Sequence, residues 1–324
     1  MYFISDPILL ALDYGGTKLS AAIIGDGEQQ WRALERVPSP ASKHAHADQE
    51  TMIALARKLL DGRAPAAIGV SFGGPVDAAQ GRVILSHHVA GWENTPLCAQ
   101  LQAEFDAPTR IENDANVAAL GEYRFGAGQG CASVFYVTVS TGVGGGWVLN
   151  GEIYTGADAM AGEIGHTIAD PRGALCICGR RGCVEAMACG TAIARDARER
   201  LIAQPDTGAK LRALVADDLT ALTGASVAQA ANAGDELAQA VLDDAARALG
   251  FGIGTVITLL NPERVVIGGG VTKAGERWWA QVCAAARANT LPQMRVAIVP
   301  AQLGDDAPLW GALALAEQAL AEPV

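Results

Sequence analysis

The sequence is short of positive charge. It carries 24 Lys and Arg against 35 Asp and Glu, a formal net charge of −11. A nucleic-acid partner needs a positive footprint, so none is expected. The deficit does not exclude a phosphorylated metabolite, because many phosphate sites are built from backbone N–H groups. Long apolar runs are lacking too. None reaches the ~18 uncharged residues of a membrane span, so no membrane partner is expected. The opening stretch "MYFISDPILLALDYGG" has no basic region and carries Asp6 and Asp13, unlike a signal peptide. Cysteines are few and odd in number, seven in all, and Cys98, Cys131, Cys189 and Cys283 are scattered. Without an export signal that pattern disfavours a disulfide framework, and the cytoplasm is the expected location.

What is present is a globular chain of 324 residues, half of them apolar, with abundant Gly and Ala. That length suggests two domains or one large one. "ILLALDYGGTKLSAAIIG" reads as a hairpin, with strands Ile8–Leu12 and Leu19–Ile24 about a turn at Tyr14–Thr17. Helical spacing marks Gln49–Asp61, and "AAIGVSF" reads as a buried strand running into a turn. "GRVILS" reads as another strand. "NTPLCAQLQAEF" reads as a helix capped by Asn94 or Thr95, with Pro96 at its first position. "APTRIEN" is a strand giving way to a helix in "ANVAALGEYRFGAG". "SVFYVTVS", the glycine turn "TGVGGG" and the strand "WVLN" then repeat the first hairpin as a weak echo. Helices are expected at Thr191–Arg200, Ser226–Ala231 and Asp235–Leu260, then the strand and turn "RVVIGGGVT", the strand "AIVPAQL" and a last helix in "APLWGALALAEQAL". Strands alternate with helices throughout, which predicts an α/β protein.

Three glycine-rich turns follow strands, at Asp13–Lys18, Thr141–Gly146 and Gly268–Gly270. Glycine lets N–H groups approach a ligand without a Cβ in the way, and successive N–H groups make an anion-binding concavity. One such turn alone is usually only a turn. Neither a dinucleotide fingerprint nor a Walker-type loop is present. Thr17 and Thr141 can donate hydroxyls to phosphate oxygens, and Asp13 can hold Mg²⁺ through water. Two phosphate-facing hairpins of this kind are the pattern of actin-like ATPases.

Asn113 and Asp114 stand where a strand meets a helix. Asp114 can cap the helix or serve as a general base that takes a proton from an attacking alcohol. Asn113 offers a donor and an acceptor to a sugar hydroxyl. Spacing leaves both readings of Asp114 open.

"HTIADPRGALCICGRRGCVE" places His166 ten residues before Cys176, with Cys178 and Cys183 following in a Cys-x-Cys-x₄-Cys run. Three thiolates and an imidazole in a closed tetrahedron suit Zn²⁺ in a structural role, because four protein ligands leave no open position for catalysis. The second ring nitrogen of His166 stays free to orient or bind something. Glu163 and Glu185 flank the knot, and carboxylates accept hydroxyl hydrogens well, which fits a polyol.

Seven stretches, "LDYGGTKLSAAI", "GVSFGGPVD", "IENDANVAALGE", "STGVGGGWVLNGEIYTG", "AGEIGH", "CICGRRGCVE" and "VVIGGG", resemble the ROK family of bacterial sugar kinases and related repressors. They occur in the family's order from near the start to about residue 270. The resemblance implies the two-lobed, actin-like ATPase fold of hexokinases, a ribonuclease H-like α/β architecture. Residues 1–115 plus 305–324 would form one lobe and 116–304 the other, with ATP and sugar in a closing cleft. It implies that Asp114 is the base for the sugar 6-hydroxyl and that Asn113, Glu163, His166 and Glu185 hold the sugar, with Gly74 lining the pocket. It makes Asp13, Gly15, Gly16, Thr17 and Lys18 the first phosphate loop, Thr141, Gly142 and Gly144 the second, and Gly268, Gly269 and Gly270 the adenosine-side turn. Mg²⁺ would accompany ATP, and the family's habit is a homodimer or homotetramer.

Two segments depart from common members. Ser71-Phe72-Gly73 replaces a Gly-x-Pro-Gly type of loop, and His87-His88 stands where many glucokinases have Asn. Both border the sugar in the family, which opens the identity of the sugar and not the reaction. Either histidine is as readily an exposed side chain as a ligand. A glucokinase is the leading expectation. N-acetylmannosamine kinase is the main rival, followed by N-acetylglucosamine, fructose and allose kinases. A repressor would carry a helix-turn-helix domain before the first glycine motif. With twelve residues ahead of Asp13 and an acidic chain, none is expected. A catalytically dead sugar sensor is disfavoured by the intact Asn113-Asp114 pair and glycine loops.

Overall fold

A computed structural model describes residues 7–86 and 88–321. In chain order the regular elements begin with strands β1 (Ile8–Tyr14), β2 (Lys18–Gly25) and β3 (Ala33–Pro38) and helix α1 (Ala45–Leu60). Strands β4 (Ala67–Phe72), β5 (Val76–Asp77) and β6 (Arg82–Val83) follow, then α2 (Leu97–Phe105), β7 (Thr109–Asn113) and α3 (Asp114–Phe125). Next come β8 (Ser133–Val139), β9 (Val143–Leu149), β10 (Glu152–Ile153), α4 (Val184–Ala188), α5 (Gly190–Ala203), α6 (Ala209–Leu214), α7 (Gly224–Asn232) and α8 (Glu236–Leu260). The chain closes with β11 (Arg264–Gly268), α9 (Glu276–Ala288), β12 (Ala297–Pro300) and α10 (Ala307–Ala321).

Two five-stranded mixed sheets result, in the orders β3-β2-β1-β4-β7 and β10-β9-β8-β11-β12. They share one plan. In each, an antiparallel hairpin (β1 with β2, β8 with β9) has two parallel strands on one side (β4 and β7, β11 and β12). The weak echo in the sequence is thus a repeat of whole-sheet topology. Contacts divide the chain into one compact unit of residues 1–130, 151–153 and 305–324, and a second of 131–150 and 154–304. The division falls after Gly130, whereas a boundary at residue 115 cuts α3 at its first turn. Helix α3 stays with the first unit because Gly121 and Gly311 let it lie backbone to backbone against α10.

In the first unit β1 is buried on both faces. Ile8, Leu10, Leu12 and Tyr14 join a core with Met52 and Leu55 of α1, while Leu9 faces Leu313 and Ala316 of α10. Such alternation reads in sequence as an unbroken apolar run. In the second unit α5, α7 and α8 pack one core with β8 and β11 around Phe135, Ile193, Leu249 and Val265. Among the described residues no helix is long and apolar enough to cross a membrane.

Several boundaries differ from expectation. Pro96 is the cap residue of α2 and not its first helical residue, with no side-chain cap from Asn94 or Thr95. Gly144–Gly146 belong to β9, paired with Thr138, Val137 and Tyr136, so the second glycine turn shrinks to residues 140–142. The strand expected in "GRVILS" is two residues long. Helix α9 and strand β3 had no counterpart in the sequence reading.

Gly69 on β4 has no room for a side chain, since a Cβ there would lie 1.7 Å from the carbonyl oxygen of Ala312 in α10. Overpacking of this kind costs up to ~3 kcal/mol. Gly69→Ala is expected to lower the unfolding free energy by that amount, read as a lower urea midpoint at unchanged slope; an unchanged midpoint would show that α10 yields without cost.

Candidate active site

The first unit gathers its polar residues at the C-terminal ends of β1, β4 and β7. Strand pairing sets Asp13 opposite Ser71, and Phe72 opposite Asn113. Ser71 Oγ donates to Asp13 Oδ1 at 2.9 Å, and both residues are buried. Burial pushes the Asp13 carboxyl up to about 6, against the Ser71 hydrogen bond, and the nearby charge of Asp114 adds to the rise. Ser71 was not among the expected site residues. It reaches Asp13 through the register of β1 against β4, which a linear pattern does not encode.

At the β7–α3 junction the cap is Asn113. Its Oδ1 accepts the Ala115 N–H at 3.0 Å, and its Nδ2 donates to the Gly74 carbonyl at 3.1 Å. Asp114 is the first helical residue, with Oδ1 accepting the same Ala115 N–H at 2.9 Å. The cap position thus belongs to Asn113, and Asp114 shares its amide donor. Its side chain keeps accessible surface, yet enough protein surrounds it to raise its pKa above the ordinary carboxylate range. Behind the junction, buried Glu112 accepts the Asn113 N–H at 2.7 Å and the Asn116 amide at 3.2 Å.

The first glycine turn is closed by Gly15 N–H donating to Lys18 O at 3.1 Å, and Ser39 N–H donates to Thr17 O at 2.9 Å. Lys43, which no motif marked, donates from Nζ to Gly16 O at 3.0 Å. Gly73 ties the turn to the junction: a Cβ there would lie 3.7 Å from Gly16 N and 3.8 Å from Asp114 Oδ2. Asp13, Gly15, Gly16, Gly74, Asn113 and Asp114 are thus brought together within one unit. His88 is exposed, and His87 lies outside the described residues.

The second unit carries the remaining candidates in two groups. One is the thiol cluster. The donor atoms of His166, Cys176, Cys178 and Cys183 all lie within 4.8 Å of one another. Cys178 Sγ and Cys183 Sγ are 3.6 Å apart, and Cys176 Sγ is 3.7 Å from His166 Nδ1. Zn–S bonds of ~2.3 Å in a tetrahedron imply ligand separations of about 3.8 Å, so the cluster fits structural zinc. The loop closes through Cys176 N–H to Arg180 O and Gly179 N–H to Cys176 O. Gly182 has φ 73°, and a Cβ on it would meet the Asp170 carbonyl at 1.5 Å, so only glycine serves there. Hydrogen bonds from Arg180 hold the Cys178 thiol down at about 6, while burial pushes Cys183 up to about 12. A coordinated cation would reverse the latter, because ligation deprotonates a thiol.

The His166 Nε2 edge faces Glu163 Oε2 at 4.0 Å, so the ring stands between the thiols and a carboxylate. Glu185, in the first turn of α4, sends Oε2 to the Val143 N–H at 3.0 Å. It therefore reaches from the thiol knot to the second glycine turn.

The other group lines a cavity of about 770 Å³ that includes Ser140, Thr141, Thr191, Asn232, Gly270 and Lys273. It joins Thr141 to Gly270, whereas Gly142, Gly144, Gly268 and Gly269 are not part of its lining. Thr191, unmarked in the sequence, donates from Oγ1 to Thr141 O at 3.0 Å.

Sheets of matching topology, each with a glycine turn in its hairpin, place the chain in the class of actin-like ATPases. The ROK family profile matches residues 9–319. A glucokinase of Halalkalibacterium halodurans is 41% identical over 248 residues, 75% of this chain and 74% of that one. An N-acetylmannosamine kinase of Escherichia fergusonii is 36% identical over 314 residues, 95% of this chain and 98% of that one. A ROK family glucokinase from Streptomyces griseus, crystallised with glucose and AMPPNP, superposes with a TM-score of 0.81 at 33% identity, covering 96% of this chain and 99% of that one. The chain belongs to the ROK family and is a sugar kinase, a glucokinase-like phosphotransferase.

Two outcomes are expected. A carboxyl whose folded pKa is about 6 against an ordinary 3.8 destabilises the folded state above pH 3.8, fully so above 6, and not below 3.8. Asp13→Asn should therefore stabilise the nucleotide-free protein by roughly 1–3 kcal/mol at pH 7, with the gain vanishing toward pH 4. A gain that persists there would contradict the buried charge. Metal analysis should find one zinc per chain, lost in Cys183→Ser; a zinc-free wild type of equal thermal stability would refute the structural metal.

Proposed function

We propose that this kinase transfers the terminal phosphoryl group of ATP to the 6-hydroxyl of a hexose, with glucose as the leading acceptor. The observation that carries the reading is the β7–α3 junction. Asn113 caps the helix, and Asp114 Oδ2 and Gly16 N lie 3.8 and 3.7 Å from one point above Gly73. A carboxylate and a glycine-turn N–H so placed suit a hydroxyl and the phosphoryl group it attacks.

In this reading Asp114 accepts the hydroxyl proton as the oxygen attacks phosphorus. Asn113 keeps one acceptor lone pair for the sugar, with Gly74 beside it. His166, Glu163 and Glu185 take the other hydroxyls, oriented by the zinc knot. Asp13, Gly15, Gly16, Thr17 and Lys18 attend the transferred phosphate, and Thr141, Gly142 and Gly144 the remainder of the chain of phosphates. Gly268–Gly270 and the cavity beside Thr141 receive the nucleoside; its size and largely apolar lining suit a purine. Asp13 would hold Mg²⁺ through water when the nucleotide brings it. Homodimers or homotetramers are the expected assembly, in the cytoplasm.

Glucose leads because the relative of 41% identity is named a glucokinase and the Streptomyces griseus structure holds glucose. N-acetylmannosamine is the second reading, favoured by a kinase of that name that is 36% identical over nearly the whole chain. A coupled ADP-release assay over hexoses and N-acetylhexosamines separates them.

Asp114→Asn should lower kcat at least ~10²-fold with sugar binding retained; full activity would remove the base assignment. The base acts ionised, so kcat/KM should fall as pH drops through a pKa above the 3.8 of an ordinary Asp. That acid limb should be absent from the residual activity of the variant.

A further inference from the structure

Three groups converge on Gly16. Lys43 Nζ holds its carbonyl oxygen at 3.0 Å. Gly73 lies beside it, where a Cβ would stand 3.7 Å from Gly16 N and 3.8 Å from Asp114 Oδ2. On its Cα, the imidazole of His88 leaves no space: a Cβ at Gly16 would lie 2.8 Å from His88 Cδ2 and 3.1 Å from Cγ.

The segment that presents this ring is tied down on both sides. Ser86 Oγ accepts the N–H groups of His88 and Val89, both at 3.2 Å. Ala90 donates to Lys43 O at 3.1 Å and accepts from Ala45 N–H at 2.8 Å. Val89 and Trp92 are buried, and Trp92 packs edge-on to Tyr14 and Phe72 with ring centroids 5.5 and 4.9 Å away. Tyr14 and Phe72 end β1 and β4, the strands that bear the first turn and the Gly73 loop. The His88 ring itself is exposed beside that turn, with its ring nitrogens unclaimed by any hydrogen bond among the described residues. Burial raises the Asp114 carboxyl, and the proximity of His88 is among the influences that lower it.

We propose that His88 is a further catalytic residue of this kinase, its imidazole donating a hydrogen bond to the phosphoryl group as that group passes from the Gly16 turn to the hydroxyl at Asp114. The inference rests on the ATP-dependent reading above. The acceptor oxygen forms its bond to phosphorus and gives its proton to Asp114. The bond from phosphorus to the bridging oxygen breaks, and its electron pair leaves with ADP. His88 gains and loses no proton; it steadies charge on the non-bridging oxygens, a role for which a fixed donor is well suited.

The test compares His88→Ala, His88→Gln and His88→Asn with wild type in the ADP-release assay on the preferred sugar, together with sugar dissociation constants and melting temperatures. His88→Ala should lose ~10²-fold in kcat with sugar affinity within about twofold of wild type. At least one of the amide variants, which keep an N–H donor at one or other ring-nitrogen position, should recover about a tenth of the wild-type rate or more. A raised KM for sugar at unchanged kcat would make His88 a sugar contact and overturn the proposal. So would a loss of kcat that neither amide restores and that tracks a lowered melting temperature. An inactive wild type would overturn both this inference and the function it rests on; an active wild type with undiminished His88→Ala would overturn this one alone.

Discussion

The hydrogen bond from the Ala115 N–H to Asn113 Oδ1 is the constraint on which the chemistry of the first unit depends. A helix beginning at the end of a strand exposes amides that need acceptors. Asn113 supplies one and spends its other amide end on the Gly74 carbonyl. Asp114 shares the same Ala115 N–H through Oδ1, while its Oδ2 lies 3.8 Å from the point a Gly73 Cβ would occupy, a point 3.7 Å from Gly16 N. Buried Glu112 secures the same corner from behind through the Asn113 N–H and the Asn116 amide. A buried, hydrogen-bonded polar corner of this kind holds geometry at some cost in stability, a common trade at functional sites.

The second unit uses a metal-compatible knot for a similar purpose. Cys183 is both a thiol of the cluster and the residue before α4, and two positions later Glu185 grips the Val143 amide at the end of the second glycine turn. The path from His166 and the thiols through α4 to that turn is short and hydrogen-bonded. Structural zinc fits such a path because it replaces a hydrophobic core in a loop too small to have one; among the described residues the buried cluster here is Cys176, Cys183 and Ala186, with Ala174 packed against it.

Where the chemistry depends on adjacent residues, the sequence displayed it. Asn113-Asp114, the glycine turns and the Cys-x-Cys-x₄-Cys run were readable because local backbone geometry demands those residue types at those spacings. Which of Asn113 and Asp114 caps the helix was not readable, because both side chains can accept from the same amide. Lys43 and Thr191 reach the site through loop packing, which a linear pattern does not encode; for Ser71 and His88 the sequence marked the segment and not the contact. The strand read in "GRVILS" shrinks to Arg82–Val83, and the pairing of Gly144–Gly146 into β9 was missed, for a related reason. Pairing partners, and not intrinsic propensity, decide whether such residues lie in a sheet.

The most direct test of the central claim is a structure of the protein with its preferred hexose and a non-hydrolysable ATP analogue. The account predicts the sugar 6-hydroxyl within ~2.6–3.2 Å of the Asp114 carboxylate, on the side that faces the Gly16 turn. A 6-hydroxyl bound at another residue, with Asp114 turned away from the sugar, would contradict it.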